Sequence, residues 1–377
     1  SLSYAMDLIN KTLVGHHKRV AYLSYRLGLK LDLEKVEMKK LVAAALIHDL
    51  GIFYLDQDYQ DLSFDNQNNF HAEVGYRLLK KNSFNLEIAE IIRYHHHDYS
   101  QNPNKLSNIL HFADRLAVLI LDNKFILDQL GHLKEVIEAN KEIFCPDCVK
   151  AFFELTENVA FFLDITSDEV IIRELDNYCD DIEWKLNLDE FLEIARLISH
   201  IIDFRSPFTA THSQGLAAVA PVLAQKFNYQ EKECKEIEAA AYLHDIGKLF
   251  VPTKILNKKD KLSKSEWNTL RTHTYYTYQA LSSSAELHKI RDIAANHHEK
   301  LDGQGYPFQL DQSNLGLSER IMAVADIFTA ISEDRPYREG MKAEKVKSIL
   351  KEMSLNNKSD RNVVAVLLDN YSEIDDL

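Results

Sequence analysis

The sequence contains the same set of metal-ligand residue types twice. The first copy consists of His16, His48, Asp49, His71, His95, His96 and Asp114, and the second of His212, His244, Asp245, His273, His297, His298 and Asp326. The first His precedes the His-Asp pair by 32 residues in both copies, and the single His precedes the His-His pair by 24. Imidazole and carboxylate groups bind borderline divalent metals, and five His with two Asp exceed the needs of one ion. Each copy would be used in full by two ions bridged by a shared Asp.

An alternative explanation is that buried His and Asp side chains only satisfy one another by hydrogen bonding. It applies with more force to the first copy, because a duplicated domain can keep its ligand residues for packing. The remaining histidines lie outside both sets, and most of them are interpreted as surface or helix-packing residues: His17, His97, His111, His132, His200 and His288.

The elements that position these residues are predicted to be helices in a duplicated chain. The two copies are offset by 196 residues in a chain of 377. Glycine (11) and proline (7) are scarce and 46% of the residues are hydrophobic, which favours packed helices over strands and turns. Helical windows lead into both His-Asp pairs and end at Gly51 and Gly247. We therefore expect an all-α fold with a first domain over 1–125, a helical connector over 126–194 and a second domain over 195–377.

Composition excludes several classes of partner. The net charge is −14, so no basic surface indicates binding to polymeric nucleic acid or to an anionic membrane. No apolar run reaches the roughly 18 residues of a membrane span, and no signal-peptide pattern opens the sequence, which together predict a cytoplasmic protein. A small phosphate substrate remains compatible with the charge, because bound metal and a few local cations dominate at contact distance.

The two copies differ where the second has extra residues. Lys248 follows the second His-Asp pair, where the first copy has Ile52, and the Asp302–Pro307 segment has a composition suited to a fixed loop over a site. Beyond the final Asp, the second copy has Arg335 and Arg338 at the offsets where the first has Asn123 and Ile126. Two guanidinium groups three residues apart can hold one anion. The first copy therefore has the metal ligands without the phosphate contacts.

These motifs give the second copy a family resemblance. It resembles an HD-GYP domain, a branch of the HD superfamily, over roughly residues 195–377. The resemblance rests on Thr209-Ala-Thr-His212, His244-Asp-Ile-Gly-Lys248, His273, His297-His-Glu-Lys-Leu-Asp-Gly-Gln-Gly-Tyr-Pro307, Arg320-Ile-Met-Ala-Val-Ala-Asp326 and Arg335-Pro-Tyr-Arg338. The first copy resembles a plain, degenerate HD domain that lacks the Asp302–Pro307 segment. This segment is the signature loop.

The resemblance implies a cyclic dinucleotide phosphodiesterase, acting on cyclic di-GMP or 3′3′-cyclic GMP-AMP through a hydroxide bridged by two metals. One ion would be held by His212, His244, Asp245 and Asp326, and the other by His273, His297, His298 and the shared Asp245. Iron is the expected metal, with Mn, Ni or Zn as alternatives.

Residue roles follow from the same resemblance. Asp245 and Lys248 would be catalytic, and Lys248, Asp302, Tyr306, Arg335 and Arg338 would contact the substrate. A carboxylate that accompanies a third metal in the family is replaced by Phe208, so two metals are expected. Gly215 stands where Arg is usual and Thr277 where Gly is usual, which leaves the substrate details open.

Two further functions remain open at this point, and the chain's partners are likewise open. The chain could be a non-catalytic cyclic dinucleotide receptor, or a general HD nucleotide phosphohydrolase. Tyr306 could stack on a base, or its loop could be a docking surface for diguanylate cyclase domains. A homodimer is compatible with the long apolar helix faces.

Overall fold

The computed structural model describes residues 15–54, 70–81, 85–101, 104–181, 187–205, 212–282, 284–334 and 339–377. These residues form helices, turns and loops, and their one sheet-like pairing is an isolated bridge between Asp302 and Asp311. The prediction of an all-α fold is confirmed. The chain divides into two compact units, which meet in sequence between Lys185 and Leu186.

The first unit is a bundle around helix α1. Its helices are α1 (His16–Lys30), α2 (Lys35–Ile47), α3 (Phe70–Lys81), α4 (Leu86–Arg93), α5 (Lys105–Leu119), α6 (Ile126–Ala139), α7 (Pro146–Leu155), α8 (Val159–Asp164) and α9 (Asp168–Asp181), with short 3₁₀ helices at Leu50–Tyr54 and Lys141–Ile143. Helix α1 packs mainly against α2 and α5. Tyr22, Leu23, Leu41 and Phe112 are fully buried in this core.

The second unit repeats the same order. Its helices are α10 (Leu188–Arg205), α11 (His212–Gln225), α12 (Glu231–Leu243), α13 (Thr253–Leu256), α14 (Lys264–Leu270), α15 (His273–Leu281), α16 (His288–Ala295), α17 (Leu317–Ser332), α18 (Ala343–Leu355), α19 (Arg361–Asp369) and α20 (Tyr371–Asp375), with 3₁₀ helices at Ile246–Phe250 and Ala285–Leu287. Helices α11, α12, α15, α16 and α17 correspond in order to α1, α2, α3, α4 and α5.

The helices that deliver the His-Asp pairs begin in the same way. Glu34 and Glu37 form a capping box at the start of α2, and Gln230 and Glu233 form one at the start of α12. In each box the side chain three residues into the helix accepts a hydrogen bond from the cap residue's backbone amide. Since both helices have the same length, each ends immediately before its His-Asp pair.

The predicted role of Gly51 and Gly247 as helix ends is wrong in detail. Each helix ends four residues earlier, and each glycine lies inside the following 3₁₀ helix. A Cβ atom on Gly247 would overlap the backbone carbonyl of His273, and one on Gly51 would overlap that of His71. The glycines therefore permit a close backbone approach between the His-Asp segment and the next His-bearing helix.

Most of the predicted connector packs within the first unit. Helices α7 and α9 contact α1, and the aromatic residues Phe152, Phe161 and Phe162 are buried, so they form helix-packing core. Helix α10 packs on α12 in the second unit. The domain boundaries at 125/126 and 194/195 stay predictions. Among the described helices, none has both the length and the apolar character needed to cross a membrane.

The glycine contact gives a first testable prediction. Gly247→Ala should push the 3₁₀ helix away from His273, lower the free energy of unfolding by about 1 to 3 kcal/mol and weaken metal binding. Gly131→Ala is the matched control, because a Cβ on this α6 residue meets no atom. Thermal unfolding and metal content measured on both variants check it, and equal behaviour of the two variants would contradict the close-approach argument.

Candidate metal centres

The second cluster is assembled from helix ends around Asp245. His212 opens α11, His244 and Asp245 follow α12, and His273 opens α15. His297 and His298 follow α16, and Asp326 lies within α17. All seven predicted ligands converge, and all except His298 are buried. The ligand set predicted from spacing is thus one constellation in space.

Asp245 faces the two groups of imidazoles with different oxygens. Its Oδ2 lies 3.0 Å from His244 Nε2, and its Oδ1 lies 3.4 Å from His273 Nε2. The second carboxylate of the cluster, Asp326, has its Oδ1 3.0 Å from His212 Nε2. Three of the ligands, His273, His297 and His298, also form one compact group of nitrogen donors. A carboxylate placed this way can bridge two ions.

The imidazole tautomers are set by the backbone. The Nδ1 atoms of His244, His273 and His297 lie 2.7, 2.8 and 2.6 Å from backbone carbonyl oxygens, to which an Nδ1–H can donate. The lone pair of each ring then lies on Nε2, which points into the cluster. A hydrogen bond from the ring nitrogen that faces away from the metal orients a metal-binding histidine in this way. The donor set fits a divalent metal.

Burial and charge set the protonation states of the second cluster. Burial lowers the pKa of His273 to about 3 and holds the pKa of His297 well below its usual value, so both rings are neutral. Burial also disfavours the charged form of His212, but Asp326 and Glu333 outweigh it and raise its pKa to about 9. Burial would raise the pKa of Asp245, yet His244 and Lys248 hold it well below its usual value.

Lys248 lies at the bridging carboxylate. The 3₁₀ helix places its Nζ 2.5 Å from Asp245 Oδ2. Thr277 fixes this helix, since its hydroxyl accepts from the Gly247 amide at 3.1 Å and donates to the His244 carbonyl at 2.8 Å. Thr277, a departure from the resembled family, therefore adds two hydrogen bonds behind the site.

The signature loop covers the His-His pair. The ring of Tyr306 lies 5.0 Å from that of His298 and 6.3 Å from that of Trp267. Asp302 accepts a hydrogen bond from the Gln304 backbone amide at 2.9 Å, so one of its carboxylate oxygens is engaged inside the loop.

Glu299 anchors the C-terminal end of the signature loop, at Phe308 and Leu310. Its Oε1 accepts from the Phe308 amide at 2.6 Å and its Oε2 from the Leu310 amide at 3.1 Å. Its residue surface is 3% exposed. The buried carboxylate holds two points of the loop above the metal ligands.

The first cluster has the same plan. Asp49 Oδ2 lies 3.3 Å from His48 Nε2, and Asp49 Oδ1 lies 3.3 Å from His71 Nε2. Asp114 Oδ1 lies 3.2 Å from His16 Nε2. The remaining predicted ligands, His95 and His96, complete a group with Asp49 and His71. All seven predicted residues of the first copy are therefore brought together.

Four buried atoms of the first cluster lack a hydrogen-bond partner among the described residues. They are His16 Nε2, His48 Nε2, His95 Nε2 and Asp49 Oδ2. The Nδ1 atoms of His48 and His95 lie 2.9 and 2.6 Å from backbone carbonyl oxygens, as in the second cluster. Unpaired buried polar atoms cost free energy unless something binds them. A metal ion would accept the lone pairs of these atoms.

Several residues near the clusters were missed by sequence reasoning. Asp203 is buried, accepts from Ser213 Oγ at 3.0 Å, and has its pKa raised to about 6 by burial. Glu333 lies 3.7 Å from His212 Nδ1 and fills the space that a side chain on Gly215 would need. His17, interpreted as surface or packing, lies 3.7 Å from Asp49 Oδ2. Asp203 corresponds to Asp7 at the 196-residue offset, so the repeat could have revealed it, whereas Glu333 and His17 have no counterpart of their own type in the other copy.

Three residues of the sequence prediction lie outside the described residues. They are Phe208 and the two arginines Arg335 and Arg338. The arginine contacts with phosphate, and the two-metal expectation drawn from Phe208, stay predictions.

Comparison with family profiles finds an HD domain in each half. One HD-domain profile matches residues 196–363, and a second matches residues 13–119. Each matched range contains the complete ligand set of its copy.

Some of the similar curated proteins match almost the whole chain, and others match only part of it. 3′3′-cGAMP-specific phosphodiesterase 1 of Vibrio cholerae is 28% identical over 99% of this chain and 90% of that protein. The cyclic di-GMP phosphodiesterase response regulator RpfG of Xanthomonas campestris is 37% identical over 38% of each chain. The crystal structure of the V. cholerae cyclic GMP-AMP phosphodiesterase V-cGAP3 matches with a TM-score of 0.63 and 22% identity, over 98% of this chain and 96% of that one. The structural match supports the fold.

The charge on His212 leads to a pH prediction. With a pKa of about 9, metal-free His212 is protonated at pH 7 and must lose that proton to bind a metal. Metal affinity of the second cluster should rise with pH until about pH 9, with proton release at pH 7. Calorimetry of the Asp49→Ala chain in buffers of different ionisation enthalpy measures this release. Unchanged release in an added His212→Ala variant would contradict the assignment.

The loop anchor gives a third prediction. Glu299→Ala leaves two loop amides without their acceptor, which should cost about 1 to 3 kcal/mol per unsatisfied group and loosen the loop. Hydrogen exchange should accelerate at Phe308 and Leu310 while metal content is unchanged. Glu286→Ala, on an exposed turn of the same unit, is the control. Unaltered exchange in Glu299→Ala would show that the carboxylate is not the anchor.

Proposed function

Because this chain belongs to the HD-domain family, with an HD domain in each half, we propose that it is a metal-dependent phosphodiesterase that opens cyclic dinucleotides to linear ones. The observation that carries the proposal is the second cluster, where Asp245 faces two groups of imidazoles and Lys248 lies 2.5 Å from the same carboxylate. A site with this donor set and a cation beside it suits attack on a phosphodiester.

The metal requirement follows from the donor set. His and carboxylate ligands suit Fe or Mn, with Ni or Zn as alternatives, and we propose iron. Two divalent ions held by the second cluster would supply a water acidic enough to lose its proton near neutral pH. The backbone-fixed tautomers of His244, His273 and His297 keep the Nε2 lone pairs directed at these ions.

The protein side chains bind and orient the phosphate. The ammonium of Lys248 offsets the negative charge that develops on the non-bridging phosphate oxygens. Tyr306, held 5.0 Å from His298, provides an aromatic surface on the substrate side. Arg335 and Arg338 are proposed to hold the phosphates, and Asp302 is proposed to contact the substrate from the loop.

The names of the relatives favour 3′3′-cyclic GMP-AMP as the first substrate to test. The relative that spans 99% of this chain is named as specific for 3′3′-cGAMP. The relative named for cyclic di-GMP matches 38% of the chain. Cyclic di-GMP is the second substrate proposed.

Two other functions compete with this proposal. A cyclic dinucleotide receptor would bind without turnover, yet a receptor has no need of the full ligand set or of Lys248. A general nucleotide phosphohydrolase would not need a loop anchored over the site as Glu299 anchors this one.

The first HD domain and the loop have proposed roles of their own. The first cluster is proposed to bind metal, since its seven residues converge as those of the second do. The exposed Phe308 of the loop offers contact area for a protein partner, for which diguanylate cyclase domains are proposed. A homodimer is likewise proposed.

A substrate panel tests the proposal directly. Iron- or manganese-loaded protein is incubated without oxygen with 3′3′-cyclic GMP-AMP, cyclic di-GMP, cyclic di-AMP and nucleoside triphosphates, and the products are separated by chromatography. Linear dinucleotides should form, and Asp245→Ala should form none. Tight binding without product would favour the receptor, and cleavage of triphosphates alone would favour the general phosphohydrolase.

Lys248 gives a sharper prediction. Lys248→Ile, which copies the residue of the first domain, should lower kcat by about 10²- to 10³-fold, as loss of one transition-state contact does. Metal content, measured by plasma mass spectrometry, should stay at the wild-type value. Lys254→Ile, a change of the same type on helix α13, is the control and should retain activity. Loss of metal together with activity in Lys248→Ile would assign the lysine a structural role instead.

A further inference from the structure

The two clusters differ at two positions directly beside their ligands. After the first His, the first domain has His17 and the second has Ser213. After the last Asp, the first domain has Arg115 and the second has Ile327. Both differences change which atoms face the bridging Asp and the His-His pair.

His17 adds an imidazole to the first cluster. Its side chain is 1% exposed, and its Nε2 lies 3.7 Å from Asp49 Oδ2, the oxygen that also lies 3.9 Å from His16 Nε2 and 3.3 Å from His48 Nε2. Asp114 Oδ1 lies 3.2 Å from His16 Nε2, so three imidazoles and two carboxylates form one connected group. The first cluster thus offers one more ligand there than the second.

Ser213, which stands at the position of His17, adds no ligand to the second cluster. Its hydroxyl donates to Asp203 Oδ1 at 3.0 Å, so it is occupied behind the site. The corresponding point faces His212, His244, Asp245 and Asp326, which are four protein ligands. With one protein ligand fewer than in the first cluster, a metal bound there would keep a position for water, as catalytic metal sites require.

Arg115 alters the other half of the first cluster. Its Nη2 donates to His96 Nδ1 at 2.6 Å, and a guanidinium can only donate. Because Nδ1 accepts this hydrogen bond, the ring carries its proton on Nε2. That Nε2 lies 2.9 Å from His71 Nε2 and donates to it. Two of the nitrogens that would bind a second ion are therefore used in a hydrogen bond.

Among the described residues of the second unit, none makes such a contact with the equivalent ring. Ile327 offers no donor, and His298 Nδ1 faces the carboxylate oxygen Asp326 Oδ2 at 3.8 Å. A carboxylate favours the proton on Nδ1, which leaves the Nε2 lone pair for a metal. The positive charge of buried Arg115, 4.0 Å from Asp114 Oδ2, also disfavours a second cation in the first cluster.

We infer that the first HD domain holds a single, coordinatively closed divalent ion, bound by His16, His17, His48, Asp49 and Asp114, with Arg115 in place of the second ion. This inference rests on the proposal that the first cluster binds metal. Closed sites are structural, whereas catalytic sites keep an open position. The first domain would then be a metal-stabilised, non-hydrolytic counterpart of the second.

Metal stoichiometry tests the number of ions. Full-length protein purified without chelator is measured by plasma mass spectrometry, after loading with manganese or cobalt. Wild type should hold three ions, Asp49→Ala two and Asp245→Ala one. Arg115→Ile should gain an ion, and Arg115→Met, which keeps the side-chain length, repeats the test if Ile lowers stability. Two ions or none in Asp245→Ala, or no gain in either Arg115 variant, would overturn the inference.

Anion binding tests the closed coordination. Cobalt-loaded Asp245→Ala, which keeps only the first centre, is titrated with azide and its visible absorption is recorded. No shift is expected, whereas cobalt-loaded Asp49→Ala, with the second centre intact, should shift. Adding His17→Ser to Asp245→Ala should open a position and restore the shift, while adding His132→Ser, an exposed histidine on α6, should not. A shift in Asp245→Ala itself would contradict closure.

The two proposals can fail separately. Hydrolysis of cyclic dinucleotides by Asp49→Ala would support the phosphodiesterase whatever the first centre binds. Absence of metal from Asp245→Ala would remove the inference and leave that activity unaffected.

Discussion

The structure of each half depends on one buried aspartate whose two oxygens face different imidazoles. Asp245 and Asp49 follow a helix end and open a 3₁₀ helix, and every other ligand is positioned around them. A buried carboxylate is costly unless positive charge or donors surround it. The neighbouring His and Lys side chains compensate this cost for Asp245, and they hold its pKa well below its usual value despite burial. The helices of each unit therefore position the groups that surround this one buried carboxylate.

Much of this arrangement could be predicted from the sequence because equal spacings imply equal geometry. The repeated separations of 32 and 24 residues link six candidate ligands in each copy, to which Asp114 and Asp326 were added by residue type, and the helix patterns placed the His-Asp and His-His pairs at helix ends. The residues that could not be predicted act through tertiary contact. Glu299 and Glu333 are ordinary acidic residues in sequence, and only packing brings them to the loop amides and His212.

Glycine shows the same limit in another way. The sequence indicated that Gly51 and Gly247 end helices, since glycine commonly follows a helix. The structure shows instead that they allow a backbone carbonyl of another helix to come close. Local propensity contains no information about a neighbour that is distant in sequence, so the correct element was predicted with the wrong cause. The proximity of His17 to Asp49 likewise follows from the packing of α1 on α2, which its position in the sequence does not show.

The hydrogen bonds of Glu299 constrain the backbone of the signature loop but not the identity of its outward side chains. The carboxylate holds backbone amides of Phe308 and Leu310, and it contacts none of the loop's outward side chains through these bonds. Amide groups are present whatever side chain the residue has. The outer face of this loop can therefore accumulate substitutions without disturbing the metal ligands beneath it. Related chains could change the surface they show to other molecules while inheriting an unaltered reaction centre.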